Sequence, residues 1–237
     1  MARSALILLA AALAAQQPDF EYLYRQALEQ REQALGKDAP KTRASARDLG
    51  LYLAARGEYA RAEAFREAVV ELADTPAAAT VLHNWAVALE ERDAALAEQV
   101  YRKALAIRVK ALPALDVELA TTRLNLAALL LARGEAEAGR LASAALGSFE
   151  KKLAAMDART GAACGVLGAS LAIRGDVAGA ERLFRRALAI AEKAHGPETP
   201  QTASALENLA DLLAQTGRES AARPLLDRAE KIRTGAR

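Results

Sequence analysis

The chain has 237 residues but only one cysteine, one tryptophan, two histidines and 4% aromatics. A single cysteine, Cys164, rules out an intrachain disulfide. It sits in the run Ala162-Ala163-Cys164-Gly165, where small neighbours predict a buried packing residue rather than a nucleophile. His83 and His195 belong to no H-x-x-x-H spacing, and there is no cysteine cluster. No glycine-rich phosphate loop is present. The sequence therefore predicts no metal site, no cofactor and no enzymatic activity. Charge of one sign is also missing, with 32 basic against 30 acidic residues and a formal charge of +2. Nucleic acid is not an expected partner, because it needs a clustered basic stripe.

What is present is alanine and leucine. They dominate a hydrophobic fraction of 52%. Both are strong helix formers, and the β-branched and aromatic residues that favour strands are scarce. The expected fold class is all-α. An alanine recurs at Ala27, Ala68, Ala104, Ala145, Ala187 and Ala229, with spacings of 41, 36, 41, 42 and 42 residues. A period of this length predicts a stacked array of similar units.

A second marker keeps the same register. Helix-start signals stand at Ala39-Pro40, Thr75-Pro76, Asp116, Asp157 and Thr199-Pro200. Thr and Asp accept a hydrogen bond from a first-turn amide, and Pro at the first helical position has no amide to leave unpaired. From each start to its recurring alanine the distance is 29, 29, 29, 30 and 30 residues. The first helix of each pair ends at a turn, with Gly57, Gly134, Gly175 and Gly217 suited to a left-handed C′ position. Asp93 is expected to take that place in the second unit. Small residues Gly50, Ala86, Ala127, Gly168 and Ala210 read as close-approach points between helices, and a bulky residue at Ala187 is expected to overpack the stack. Trp85 and Phe184 are spaced like core residues. Thr75 follows Ala68 by 7 positions where the other units have 12, which predicts a second helix about one turn short. Pro224 predicts a late start or a kink in the last helix.

These strings resemble the tetratricopeptide repeat, in the 42-residue variety of kinesin light chains. The link His195-Gly196-Pro197-Glu198-Thr199-Pro200-Gln201-Thr202 carries the likeness, with Leu35-Gly36-Lys37-Asp38-Ala39-Pro40-Lys41-Thr42 as its counterpart. Ala205-Leu206-Glu207-Asn208-Leu209-Ala210 is a further family-like string. The resemblance implies an α-solenoid of antiparallel helix pairs in a right-handed superhelix. The reading is one leading helix, about 19–36, and pairs at about 39–74, 75–115, 116–156, 157–198 and 199–234. It also implies that the first helix of each pair lines a concave groove that holds a protein or an extended peptide.

Nine residues after each start stand Asp48, Asn84, Asn125, Val166 and Asn208. Asn is a mediocre helix former, so propensity does not explain three of them at one depth. One turn earlier stand Thr80, Thr121 and Ser204, on the same helix face. By resemblance, Asn84, Asn125, Asn208 and Asp48, with Thr80, Thr121 and Ser204, are the candidate peptide-binding residues. An amide both donates and accepts, which suits a peptide backbone. The alternative is that these groups bond within the stack and order it. Arg43, Arg47 and His83, beside the first two groove positions, read as solvated faces.

Ahead of the array, Arg3 is followed by an apolar run over residues 5–15, with Ala12-Leu13-Ala14 as a small-x-small cleavage pattern. This resembles a signal peptide over residues 1–15. Its eleven apolar residues fall short of the roughly 20 needed to cross a bilayer, so no integral span is expected. The reading is export to the periplasm or beyond if the segment is cleaved, and a cytoplasmic protein otherwise. A protein or peptide scaffold is the expected function. The alternative is an assembly component that self-associates or braces an envelope complex.

Overall fold

A computed structural model describes residues 20–235. The signal-peptide reading of residues 1–15 lies outside the described residues. Every regular element among them is helical. They form two compact units, one up to Trp85 and one from Ala86 onward.

In the first unit, α1 (Phe20–Leu35) packs against α2 (Pro40–Ala55). Helix α2 starts at Ala39, which offers no side-chain cap but is followed by Pro40. Its partner is not one helix. Residues 59–72 form α3 (Tyr59–Ala62), a 3-10 turn (Glu63–Phe65) and α4 (Arg66–Leu72). The close approach to α2 explains the small residue there: a Cβ on Gly50 would lie 2.5 Å from Val69 Cγ2 and 2.8 Å from Phe65 Cβ. The tilted rings of Tyr24 and Tyr52, 5.3 Å apart, add a contact between α1 and α2. Arg61 reaches back to Glu21 and ties the broken segment to α1. The unit ends within α5 (Pro76–Leu89), whose Thr75 Oγ1 accepts from the Ala78 amide at 3.2 Å.

The second unit runs through α6 (Ala94–Ala111), α7 (Val117–Ala132), α8 (Glu137–Lys152), α9 (Ala158–Ile173), α10 (Val177–His195), α11 (Pro200–Gln215) and α12 (Glu219–Thr234). Each helix packs on the one before and the one after it from α6 to α12. This is a solenoid of antiparallel pairs, in which stability is summed over units and their interfaces. Asp116, Asp157 and Thr199 cap α7, α9 and α11 as their sequence positions predict. Gly57 in the first unit, and Gly134, Gly175 and Gly217 in the second, hold φ of 73 to 83°, where a Cβ would be strained.

The recurring alanines from Ala68 onward are buried, and so are Trp85 and Phe184. Ala104 and Ala145 are fully enclosed, which lets neighbouring helices meet at backbone distance. Around Phe149 the side chains of Ala120, Leu124, Ala163 and Cys164 close one core cluster. Around Phe184 those of Leu209, Leu213 and Ala222 close another. Burying one such aromatic contributes about 1.5–3 kcal/mol.

Three expectations are corrected. Asp93 does not close a helix in the left-handed region. Its φ is −151° and its carboxylate accepts from the Leu96 amide, so it caps α6 instead. A β-carbon makes left-handed φ unfavourable, whereas the N-cap uses the carboxylate. Of the two outcomes expected of Pro224, the late start does not occur, since α12 begins at Glu219 and runs through it. His83 is buried rather than on a solvated face.

Candidate functional site

The candidate residues are divided between the two units. Asp48, Thr80 and Asn84 belong to the first unit, while Thr121, Asn125, Ser204 and Asn208 belong to the second. Asp48 is ion-paired to its neighbour Arg47 at 2.7 Å. Thr80 and Asn84 are exposed on α5. Thr121 donates its hydroxyl to the Val117 carbonyl of its own helix at 2.8 Å. Asn125 is hydrogen-bonded to Tyr101 on α6. The Tyr101 hydroxyl in turn donates to the Glu90 carboxylate, and burial together with that carboxylate holds the phenol far above its usual range. At this position the amide has a partner on the neighbouring helix.

Ser204 and Asn208 behave differently. Both are exposed on α11, and both line a cavity of about 380 Å³ in the second unit. One face of α9 forms the floor, through Ala158, Gly161, Ala162, Gly165, Val166 and Ala169. These positions recur at three and four, the helical period. Ala187, Ala191 and His195 of α10 form one wall. Gln201, Ser204, Ala205 and Asn208 of α11 form the other, and Leu131 of α7 completes it. The lining is apolar in its depth, with an imidazole, two amides and a hydroxyl as its polar groups. Ser204 also back-bonds to the Pro200 carbonyl at 3.1 Å and accepts from Arg233 at 3.2 Å. Val166 gives the fourth unit no amide. Its contribution is apolar wall.

Two glycines on the floor have different causes. A Cβ on Gly161 would fall 2.8 Å from Ile190 Cγ2, so packing requires glycine there. A Cβ on Gly165 would meet nothing within 4 Å. A mid-helix glycine costs about 1 kcal/mol relative to alanine. At Gly165 that cost leaves open space.

A polar cavity of about 480 Å³ in the first unit is bordered by Glu32, Lys37, Asp38, Arg43 and Glu67. Its charges are of both signs, and Arg43 is committed to Glu71. Among the described residues no group of three His, Cys, Asp or Glu side chains is placed to hold a metal ion. No helix among them is long and apolar enough to cross a membrane.

A model of the tetratricopeptide-repeat family matches residues 161–235, which include the cavity's α9–α11 walls from Gly161 on. Over those residues the chain matches the tetratricopeptide repeat. Solved structures with the same fold include kinesin-light-chain-like repeat proteins. BtubC (BKLC) from P. vanneervenii superposes with a TM-score of 0.63 at 21% identity, covering 91% of this chain and 90% of that one. A Podosopora anserina protein assigned as a kinesin light chain, with nearly identical TPR-like repeats, superposes at 0.60 and 22%, covering 81% and 94% (its Q17M form). YrrB, a tetratricopeptide-repeat protein described as having an unusual peptide-binding site, superposes at 0.55 and 19%, covering 89% and 94%. At these identities the likeness is one of fold. The comparison with curated proteins finds no match. Tetratricopeptide repeats in general are scaffolds for protein interaction.

Sequence reasoning missed the residues that lock one repeat to the next. Six positions before the recurring alanine stand Glu21, Glu98 and Glu181. Each holds an arginine of the next unit: Arg61, Arg133 and Arg218 respectively. Arg108 is buried and donates to the Glu118 carbonyl at 2.8 Å and to Thr122. Part of the signal was available in the register, because the three glutamates share one offset from the recurring alanine, whereas their arginine partners do not.

Proposed function

We propose that the protein is a non-catalytic scaffold that holds an extended peptide in the second unit, across α9, α10 and α11. The observation that carries this is the cavity with Ser204 and Asn208 at its edge. It joins an open, mostly apolar hollow to amide and hydroxyl groups at its edge, the combination expected of a small specific site. Amides at the edge serve a peptide backbone, and the apolar depth selects a side chain. The test is a random peptide library panned against the full chain. Synthetic versions of enriched peptides are then titrated against wild type and the Ser204→Ala/Asn208→Ala pair. Loss of one net hydrogen bond, about 1 kcal/mol, weakens binding roughly fivefold. Equal affinity in both proteins would remove the groove from consideration.

A second reading rests on α1. Phe20, Tyr22, Leu23 and Leu35 are each about half exposed on that helix. Phe20, Leu23 and Leu35 share one side of the helix and Tyr22 lies on the other, and exposed apolar side chains of this kind favour self-association or bracing of a larger complex. Light scattering across a concentration series separates the readings: growth in mass with concentration supports assembly, and a constant monomer mass supports the open groove. For residues 1–15 we propose export, on the strength of their apolar run and Ala12-Leu13-Ala14 alone. N-terminal sequencing of the natural protein tests it, and an intact Met1 counts against it.

A further inference from the structure

The cavity is the place where the array omits a side chain that it supplies elsewhere. Four residues after the recurring alanine stand Arg31 on α1, Arg108 on α6, Phe149 on α8 and Ala191 on α10. In the first unit Arg31 donates to Ser45 on the next helix. In the second unit Arg108 fills the gap to α7 and Phe149, fully buried, fills the gap to α9. At the junction of α10 with α11, Ala191 extends no further than its Cβ. The floor is cut back as well. Eight residues after the helix start, α7 has Leu124 and α11 has Glu207, where α9 has Gly165. The two truncations border the same volume.

The chemistry of that volume selects the occupant. The lining contains no Asp, Glu, Lys or Arg. Arg108 is satisfied by Glu118 and Thr122, but the equivalent positions on α11 are Gln201 and Ala205. A guanidinium buried here would lack both its carboxylate and its hydroxyl, which is strongly unfavourable. An apolar group needs neither, and Phe149 shows that the equivalent junction one unit earlier accepts a ring. A cavity of roughly 150 Å³ is enough to take up benzene. The volume here is about 380 Å³. We infer that the α9–α10–α11 junction is a side-chain pocket for one large uncharged residue, aromatic or long aliphatic, of a bound peptide, with Gly165 and Ala191 as its specificity determinants. This rests on the groove reading proposed above and adds the ligand's defining feature.

The test fills the pocket with the protein's own solutions. Ala191→Phe copies Phe149, and Gly165→Leu copies Leu124. Both are expected to melt at or above wild type, with Gly165→Leu higher by roughly 2–4 °C. Either variant suffices if the other does not fold. A random heptapeptide library on phage is panned against the full-length wild type and each variant. The expected result is enrichment of Phe, Tyr, Leu or Met at one peptide position on wild type. Enriched peptides, made synthetically, should then bind the filled variants at least tenfold more weakly by fluorescence anisotropy. Enrichment of a charged residue at that position overturns the pocket. So does unchanged affinity in a folded, filled variant, and if Ser204→Ala/Asn208→Ala still weakens that peptide, the groove stands without the pocket. No enrichment on wild type overturns the groove and the pocket together.

Discussion

At the scale of the residue, glycine and alanine decide the close contacts, and their reasons differ from place to place. A Cβ on Gly168 would fall 2.9 Å from the Phe184 ring, and Phe184 is buried. Gly168→Ala should therefore lose about 1–2 kcal/mol, overpacking outweighing the gain in helix propensity. Gly165→Ala, three residues away and facing open space, should gain up to about 1 kcal/mol. Urea denaturation of the two variants checks the opposite signs. The overpacking expected at Ala187 is better sought at Ala145, since Ala187 borders the cavity and Ala145 is enclosed. Cys164 was legible as a packing residue and is buried. Burial pushes its thiol up, with Glu150 adding to the shift and Arg186 opposing it. It should resist a thiol reagent in the native protein at pH 7 and react fully in denaturant. Rapid labelling of the folded chain would contradict that burial.

At the scale of the element, caps and turns were the most legible part of the sequence because they are local. A Thr or Asp three residues before an amide needs no distant partner to be recognised. Asp116 accepts from the Glu118 and Leu119 amides at 2.8 and 3.1 Å, so Asp116→Ala should cost about 1 kcal/mol in thermal or urea unfolding. Asp93 was misplaced because one turn holds both a helix end and a helix start, and the carboxylate serves the start. The break at Glu63–Phe65 was visible only as a missing turn, since a short linker does not say how the remaining residues relax. The glutamates between repeats were not legible without their partners. Glu98, held by Arg102 and Arg133, and Glu181, held by Arg218 and Arg185, sit below the ordinary value of 4.5. The folded state then binds fewer protons than the unfolded one, so their contribution is complete above pH 4.5 and is lost as pH falls. The melting temperature should drop from pH 5 downward, and less steeply in Glu98→Gln/Glu181→Gln. An identical pH dependence in that variant would assign acid lability to other groups.

At the scale of the whole molecule, repetition made the solenoid legible and concealed the site. A recurring Asn drew attention to three equivalent depths, yet the structure gives Asn125 to Tyr101 and leaves Asn208 on a cavity edge. The difference arises outside the motif, from Tyr101 on the preceding helix in one case and from Gly165 and Ala191 in the other. A repeat array specifies its core by what its units share and its binding surface by where one unit departs. The departure in the fourth unit, with Val166 for Asn and Gly165 for a larger residue, was on view in the sequence, but a missing side chain does not say by itself what space it opens. There an unfilled apolar volume meets polar groups.

The most direct measurement is hydrogen–deuterium exchange on the full chain with and without a saturating enriched peptide. The account predicts added protection concentrated in α9, α10 and α11, around Gly165, Ala191 and Asn208. Protection confined to α1 or α12, with those three helices unchanged, would contradict it.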